Sequence, residues 1–463
     1  MPASSPAPSA SSSGISGQPS RRTVLQLGGL GALGLTLAAC SGPSVTQDTA
    51  RADSTTTTDW STITPASEIT WWSNHPGASK AIEEELIARF TKAHPEITVK
   101  HVTAGANYDE VAQRFQAASS TSALPDLVIS SDVWWFRYFL NGQIMALDDV
   151  FAHLEVDTAD FNTTLYSDYE FDSQHWAAPY ARSTPLFYYN RDLWAAAGLP
   201  DRGPATWAEL EEWAPQLAAV LPPDGAPLGL DTGTSWAGWW MENIIWGQGG
   251  AYSSDWTVTL DTPEAEAAGE FVRAMFNDSK VAGLGTDTSA DFAAGIFGSM
   301  VGSTGSLKGL LEAATFNLGT SFLPDGPQGS GVPTGGTGLA IPASRTPEQQ
   351  LAAAMFLAFI TSSDNTAYFS QNTGYVPVRT SAQEGAIMTE IYATIPQFRT
   401  AIDQLETKTR TQDWVRVFVP GGDQIITEGI EQMVLKNVPA ATAWASITPR
   451  LQKAFQENVE PYL

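Results

Sequence analysis

The sequence predicts an α/β fold of two lobes, each with a central, mainly parallel sheet flanked by helices, joined by three hinge crossings. Three observations lead there. The chain has 463 residues, too many for one small core and enough for two. From Glu68 onward strand and helix patterns alternate, as a parallel sheet covered on both faces requires. The proline-bracketed run Ala178 to Asn190 and the run Asn372 to Val378, with its one Pro377, share a turn, aromatic and proline grammar, with the flexible Thr334 to Gly338 between them.

The first 20 residues carry no charged side chain. Arg21 and Arg22 then precede a short, apolar, Gly-rich run that ends in Leu37-Ala38-Ala39-Cys40. This is the grammar of an export signal, too short and glycine-rich for a good membrane span. Leu-Ala-Ala-Cys resembles a bacterial lipobox, which makes Cys40, the one cysteine, the lipidated first residue of the mature chain. The paired arginines resemble a twin-arginine signal, although Val24 and Gln26 depart from its usual Phe and Lys. A G-x-G-x-x-G spacing from Gly29 to Gly34 lies in the removed segment with no strand before it, so it predicts no dinucleotide site. Residues 41 to 66, rich in Ser, Thr, Asp and Ala, read as a flexible tether.

Ile69 to Trp72 reads as a strand, and Ser79 to Ala93 as a helix through Ile82, Leu86, Ile87 and Phe90. In that helix Glu83-Glu84-Glu85 reads as a solvated face. Ile97 to Val99 is a second strand, Tyr108 to Ala118 a second helix and Leu127 to Ile129 a third strand. Ligands of such sheets sit outside the carboxyl ends of the strands, which places Trp72, Tyr108 and Asp132 at a cleft. In Ala178 to Asn190, Pro179 and Pro185 mark strand edges or changes of direction, and Arg182, Ser183 and Thr184 offer hydrogen-bonding groups between them. An edge strand with a polar loop explains the same residues equally well.

Thr206 caps a helix through Trp207, Leu210, Trp213 and Leu217. Ser235 to Trp246 holds four tryptophans, Trp236, Trp239, Trp240 and Trp246, more than one core face needs. Most belong to the core, and one or two suit a cleft wall for a sugar or a quaternary ammonium group. Ser303-Thr304-Gly305-Ser306 precedes a helix whose first N–H groups either meet an anion or are simply capped. Leu351 to Thr361 is an apolar helix.

Composition and missing motifs narrow the function. A net charge of −26 argues against binding nucleic acid through phosphates. With 16% charged and 10% aromatic residues, that acidity is spread over a folded chain. H-E-x-x-H, G-x-S-x-G and P-loop motifs are absent and the five histidines are scattered, so binding is favoured over turnover. No cofactor or metal is expected.

From about Ile69 to the C-terminus the chain resembles the substrate-binding lipoproteins of ABC importers. The match is to extracellular solute-binding protein family 1, in its glycerol-3-phosphate and glycerophosphodiester branch of actinobacterial type. The motifs are Trp72 to Gly77, Asn107 to Ala112, Asp132 to Phe136, Ala181 to Asn190, Ser303 to Leu307, Thr373 to Val378 and Arg416 to Asp423. The resemblance implies a periplasmic-binding-protein-like fold with an N-terminal lobe of residues 67–180 and 337–375. Residues 181–336 and 376–463 form the C-terminal lobe. It implies a cleft in which Tyr108 and Asp132 hold glycerol hydroxyls while Ser183, Ser303, the Gly336 amide, Tyr375 and Arg416 hold phosphate. Trp236 either lines a pocket for a second substituent, such as choline, or fills it. The implied protein is a non-enzymatic, monomeric receptor, lipid-anchored to the outer face of the cell membrane. It delivers a small glycerol-phosphate ligand to the importer's permease. An oligosaccharide receptor on the same scaffold, and less strongly a secreted glycoside or phosphodiester hydrolase, are the alternatives.

Overall fold

The computed structural model describes residues 58–463 apart from 76, 77, 120, 122 and 286; Cys40, the export segment and the tether up to residue 57 lie outside them. Ten strands form the two central sheets. They are β1 (Glu68–Ser73), β2 (Thr98–Thr103), β3 (Leu127–Ser131), β4 (Ala178–Ser183), β5 (Pro185–Asn190), β6 (Ala226–Leu230), β7 (Ala282–Leu284), β8 (Phe297–Ser303), β9 (Leu318–Ser321) and β10 (Gly335–Ala340).

The first sheet has the order β2-β1-β3-β10-β4 and the second β7-β6-β8-β5-β9. In each, three strands run parallel, the fourth antiparallel and the fifth parallel to the first three. The antiparallel members, β5 and β10, are the strands that enter just after the chain has passed from the other sheet. The expected pair of mainly parallel sheets is therefore present, each with one strand reversed.

Burial explains the strands. Every residue of β3, β4 and β5 is buried, and fully covered strands are the mark of a sheet packed on both faces. Pro179 costs no ladder bond because β4 is the edge of its sheet, and Pro185 is the first residue of β5. Helix starts are set by side-chain caps: the Asn107 oxygen accepts from Glu110 N–H at 2.9 Å, and Thr206 Oγ1 from Glu209 N–H at 3.1 Å. Among the described residues no helix is long and apolar enough to cross a membrane.

Three expectations need correction. The tether does not extend to residue 66, because Trp60 is only 7% exposed in the hydrophobic core and Ala66 N–H donates to Glu348 O at 2.8 Å. β4 continues to Ser183, so the passage expected near residues 180 and 181 falls at Thr184. Glu83 does not share the solvated face of Glu84 and Glu85: it is wholly buried, while its neighbours are about half exposed.

Candidate functional site

The site grows from the place where the chain changes sheet. Ser183 pairs with Gly335 and Arg182 with Gly336, while on the other side of Thr184 the register sets Pro185 against Ser303. Thr304 N–H donates to Thr184 O at 3.1 Å, and Val376 N–H to Arg182 O at 2.9 Å. Ser183, Ser303 and Gly336, with Tyr375 one residue before the bridged Val376, thus gather around one crossing. Gly336 has φ +97°, and a Cβ there would lie 2.2 Å from Ala181 O. A side chain would force these crossings apart. The ring of Tyr375 in turn lies against Gly305, where a Cβ would approach its Cζ to 2.7 Å.

The first sheet adds its parallel carboxyl ends. Tyr108 follows β2 and places its hydroxyl 3.3 Å from that of Tyr375. Asp132 follows β3; its N–H donates to Gly336 O at 3.3 Å, and its carboxylate accepts from Gln412 Nε2. Arg182 Nη1 stands 4.0 Å from the same carboxylate.

Two buried guanidinium groups face this region. Arg182 donates to Tyr169 Oη at 2.8 Å and to the Asp168 carboxylate. Arg416, with 2% of its side chain exposed, has Nε 2.8 Å from Asp423 Oδ1, while its Nη1 is buried without a hydrogen-bond partner. It packs against Gly238, where a Cβ would sit 2.9 Å from Arg416 Nε. Burial alone lowers both guanidinium pKa values, but Tyr169, Asp168 and Asp132 around Arg182, and Asp423, Glu242 and Asp132 around Arg416, more than offset it. Burial also raises the carboxyl pKa of Asp132, against the pull of both arginines and Gln412. Both arginines therefore stay charged, and both already face carboxylates.

Trp236 is the exposed member of its group at 38%, whereas Trp239, Trp240 and Trp246 are buried. It lines a cavity of about 250 Å³ with Asp231, Asp287, Thr288 and Gly302. Of the lining residues, Asp231 follows β6 and Gly302 stands next to the last residue of the parallel β8, so this cavity lies at the carboxyl ends of the second sheet. Ser303 Oγ accepts from Gly305 N–H at 3.1 Å, so that amide is capped by its own turn. Of the eight expected site residues, Ser183, Ser303, Gly336 and Tyr375 sit at the crossings, Tyr108 and Asp132 follow strands of the first sheet, Trp236 lines the cavity and Arg416 lies on the short helix Trp414–Val417; Cys40 lies outside the described residues.

A model for bacterial extracellular solute-binding proteins matches residues 85–400. The chain belongs to this family. Similar proteins include the sn-glycerol-3-phosphate-binding periplasmic protein UgpB of Escherichia coli K12, 27% identical over 363 residues that cover 73% of this chain and 81% of the relative. The crystal structure of UgpB from Mycobacterium tuberculosis in complex with glycerophosphocholine is 46% identical, with TM-score 0.82, and covers 85% of this chain and all of the other. The GacH receptor of Streptomyces glaucescens, at 22% identity, TM-score 0.72 and coverage of 84% and 98%, shares the fold.

For this solute-binding protein, sequence reasoning missed Gln412, Asp168, Glu242 and Asp423. Glu242 is wholly buried, accepts from Asp413 N–H at 2.8 Å, and has its pKa held well above the usual carboxyl range by burial, against the pull of Arg416. Its signal was available: an acid among tryptophans on an otherwise apolar helix. Gln412 carried none, because only the fold brings it to Asp132.

Proposed function

We propose that this protein is the extracytoplasmic receptor of an ABC importer and captures glycerol-3-phosphate or, preferentially, glycerophosphodiesters such as glycerophosphocholine. The observation that carries the reading is Arg416: a buried guanidinium with Nη1 unpartnered, whose charge acts on the Asp132 carboxyl. In this reading Tyr108 and Asp132 hold the glycerol hydroxyls, since a carboxylate accepts from two of them. Ser183, Ser303, the Gly336 amide, Tyr375 and Arg416 hold the phosphate, for which the guanidinium fork is matched. Trp236 and its cavity take the second substituent, an ammonium group finding an indole face there. Because Arg182 and Arg416 already face Asp168 and Asp423, a singly charged diester suits the site better than a doubly charged monoester.

The two lobes, which meet at Thr184 and ahead of Gly335 rather than at residues 180 and 336, close on the ligand by bending at the crossings and present it to the permease. Cys40 tethers the monomeric protein by lipid to the outer face of the membrane, after export by the twin-arginine route.

Calorimetry with glycerophosphocholine, glycerol-3-phosphate and maltotriose tests the assignment. Wild type is expected to bind the diester, and Arg416→Ala, checked for native circular dichroism, to bind it about 30-fold more weakly or worse. Unchanged affinity in that variant would overturn the phosphate assignment. The exposed Trp236 beside two carboxylates favours the second reading, an oligosaccharide receptor, and tight maltotriose binding with no response to phosphate esters would establish it.

A further inference from the structure

Behind Tyr375 lies a cluster with no place in the site so far. Glu83 has His75 Nδ1 at 2.6 Å and His101 Nε2 at 2.8 Å on its two oxygens, and Ser73 Oγ donates to it at 2.7 Å. Tyr180 Oη donates to it at 3.3 Å. These groups come from the first helix, from β1 and the segment after it, from β2 and from β4. The side chains of Glu83, His75 and His101 are 0%, 7% and 6% exposed. His75 Nε2 and both nitrogens of His101 are buried without hydrogen-bond partners, so the approach of His101 Nε2 to Glu83 is an ion-pair contact without hydrogen-bond geometry. The imidazole of His75 meets the ring of Tyr375 edge-on, centroids 6.0 Å apart, and Tyr375 reaches Tyr108 through its hydroxyl.

A carboxylate only accepts hydrogen bonds, so the His75 nitrogen facing Glu83 must carry the hydrogen. That fixes the tautomer of neutral His75 and leaves Nε2 as the atom that gains a proton. Burial alone would raise the Glu83 carboxyl, but the charge of an imidazolium beside it and the hydrogen bonds from the imidazoles outweigh burial and hold it at about 2. With Glu83 ionised, one charged imidazole makes the cluster neutral behind Tyr375 and a second makes it positive. Tyr180 and Tyr375, the other titratable groups facing Glu83, are both raised by burial and stay neutral throughout.

We propose that Glu83, His75 and His101 form a proton-linked extension of the binding site, in which protonation of the imidazole pair strengthens the binding of an anionic group at Tyr375. The linkage is reciprocal, so binding the anion draws a proton onto the pair. Acting through Tyr375 and not by direct contact, a unit charge here is expected to change affinity about fivefold. His75 and Glu83 act on the ligand through Tyr375 and are positioning residues.

The proposal rests on the anionic ligand assigned above, and the test separates the two. Glycerophosphocholine keeps its charges over the imidazole range, so any pH dependence of its binding belongs to the protein. Calorimetry at about pH 5.5 and about pH 8, in buffers of different protonation enthalpy, is expected to show about fivefold tighter binding at the lower pH with net proton uptake. Glu83→Gln is expected to flatten that profile, and His75→Gln, which leaves the buried acid in place, to flatten it as well. Equal affinity and no proton uptake in wild type would overturn the linkage. Absence of binding at both pH values would instead overturn the ligand assignment.

Discussion

Glu83 and Arg416 are both buried charged groups, and each is held by groups of opposite charge set against it. Arg416 is one arginine among several until its run to Asp423 is matched to a family motif. Glu83 was hidden by its neighbours, since Glu83, Glu84 and Glu85 are chemically alike. Helical phase distinguishes them: Glu83, Leu86 and Phe90 lie on one stripe and are all wholly buried. What the sequence did not supply was the pair of imidazoles, one after β1 and one on β2, that makes an ionised acid tolerable there. A measurable consequence follows from the lowered pKa of Glu83. An acid held at about 2 in the fold, against an ordinary value near 4.3, stabilises the fold above the ordinary value. That contribution is lost as pH falls toward 2. Denaturant melts between about pH 5 and about pH 2 are therefore expected to show wild type losing stability more steeply than Glu83→Gln. Parallel curves for the two proteins would contradict an ionised, buried Glu83.

Among the elements, the strands were legible where they alternate with helices, and β1 to β3 lie where periodicity puts them. Registers and neighbours were not legible. Nothing local in Gly335 to Ala340 tells that this strand slots between β3 and β4, because that choice depends on contacts remote in sequence. The glycines of Thr334 to Gly338 read as flexible, but one of them is a fixed geometric requirement. Gly336 holds a left-handed backbone while touching Ala181 O, so Gly336→Ala is expected to cost about 1–3 kcal/mol in a urea melt. It should also weaken glycerophosphocholine binding, because Ser183 and Asp132 are both placed by that strand. Wild-type stability in the variant would mean that β10 relaxes without cost. The anion reading of Ser303 to Ser306 now has to accommodate the Gly305 amide, which Ser303 already caps.

At the scale of the whole molecule the two-sheet plan was legible from length and alternation, whereas the site depends on how the sheets meet. The Asp132 carboxylate touches Gln412, and Tyr108 touches Tyr375, so both contacts join segments far apart in the chain. If the crossings bend as hinges, a bound ligand favours the closed arrangement. Small-angle scattering is expected to show a smaller radius of gyration with saturating glycerophosphocholine than without it. Thermal melts should rise with ligand concentration as mass action requires. An unchanged radius with a raised melting temperature would mean a rigid cleft. The strand order has one more consequence, which concerns time. In the first sheet β3 and β4 are not neighbours: the gap between them is filled by β10, which the ribosome makes only after all five strands of the second sheet. The amino-terminal half of the polypeptide therefore emerges with a vacancy in its sheet. It stays open to chaperones and proteases until nearly three quarters of the chain exists, so the first sheet waits for the second crossing.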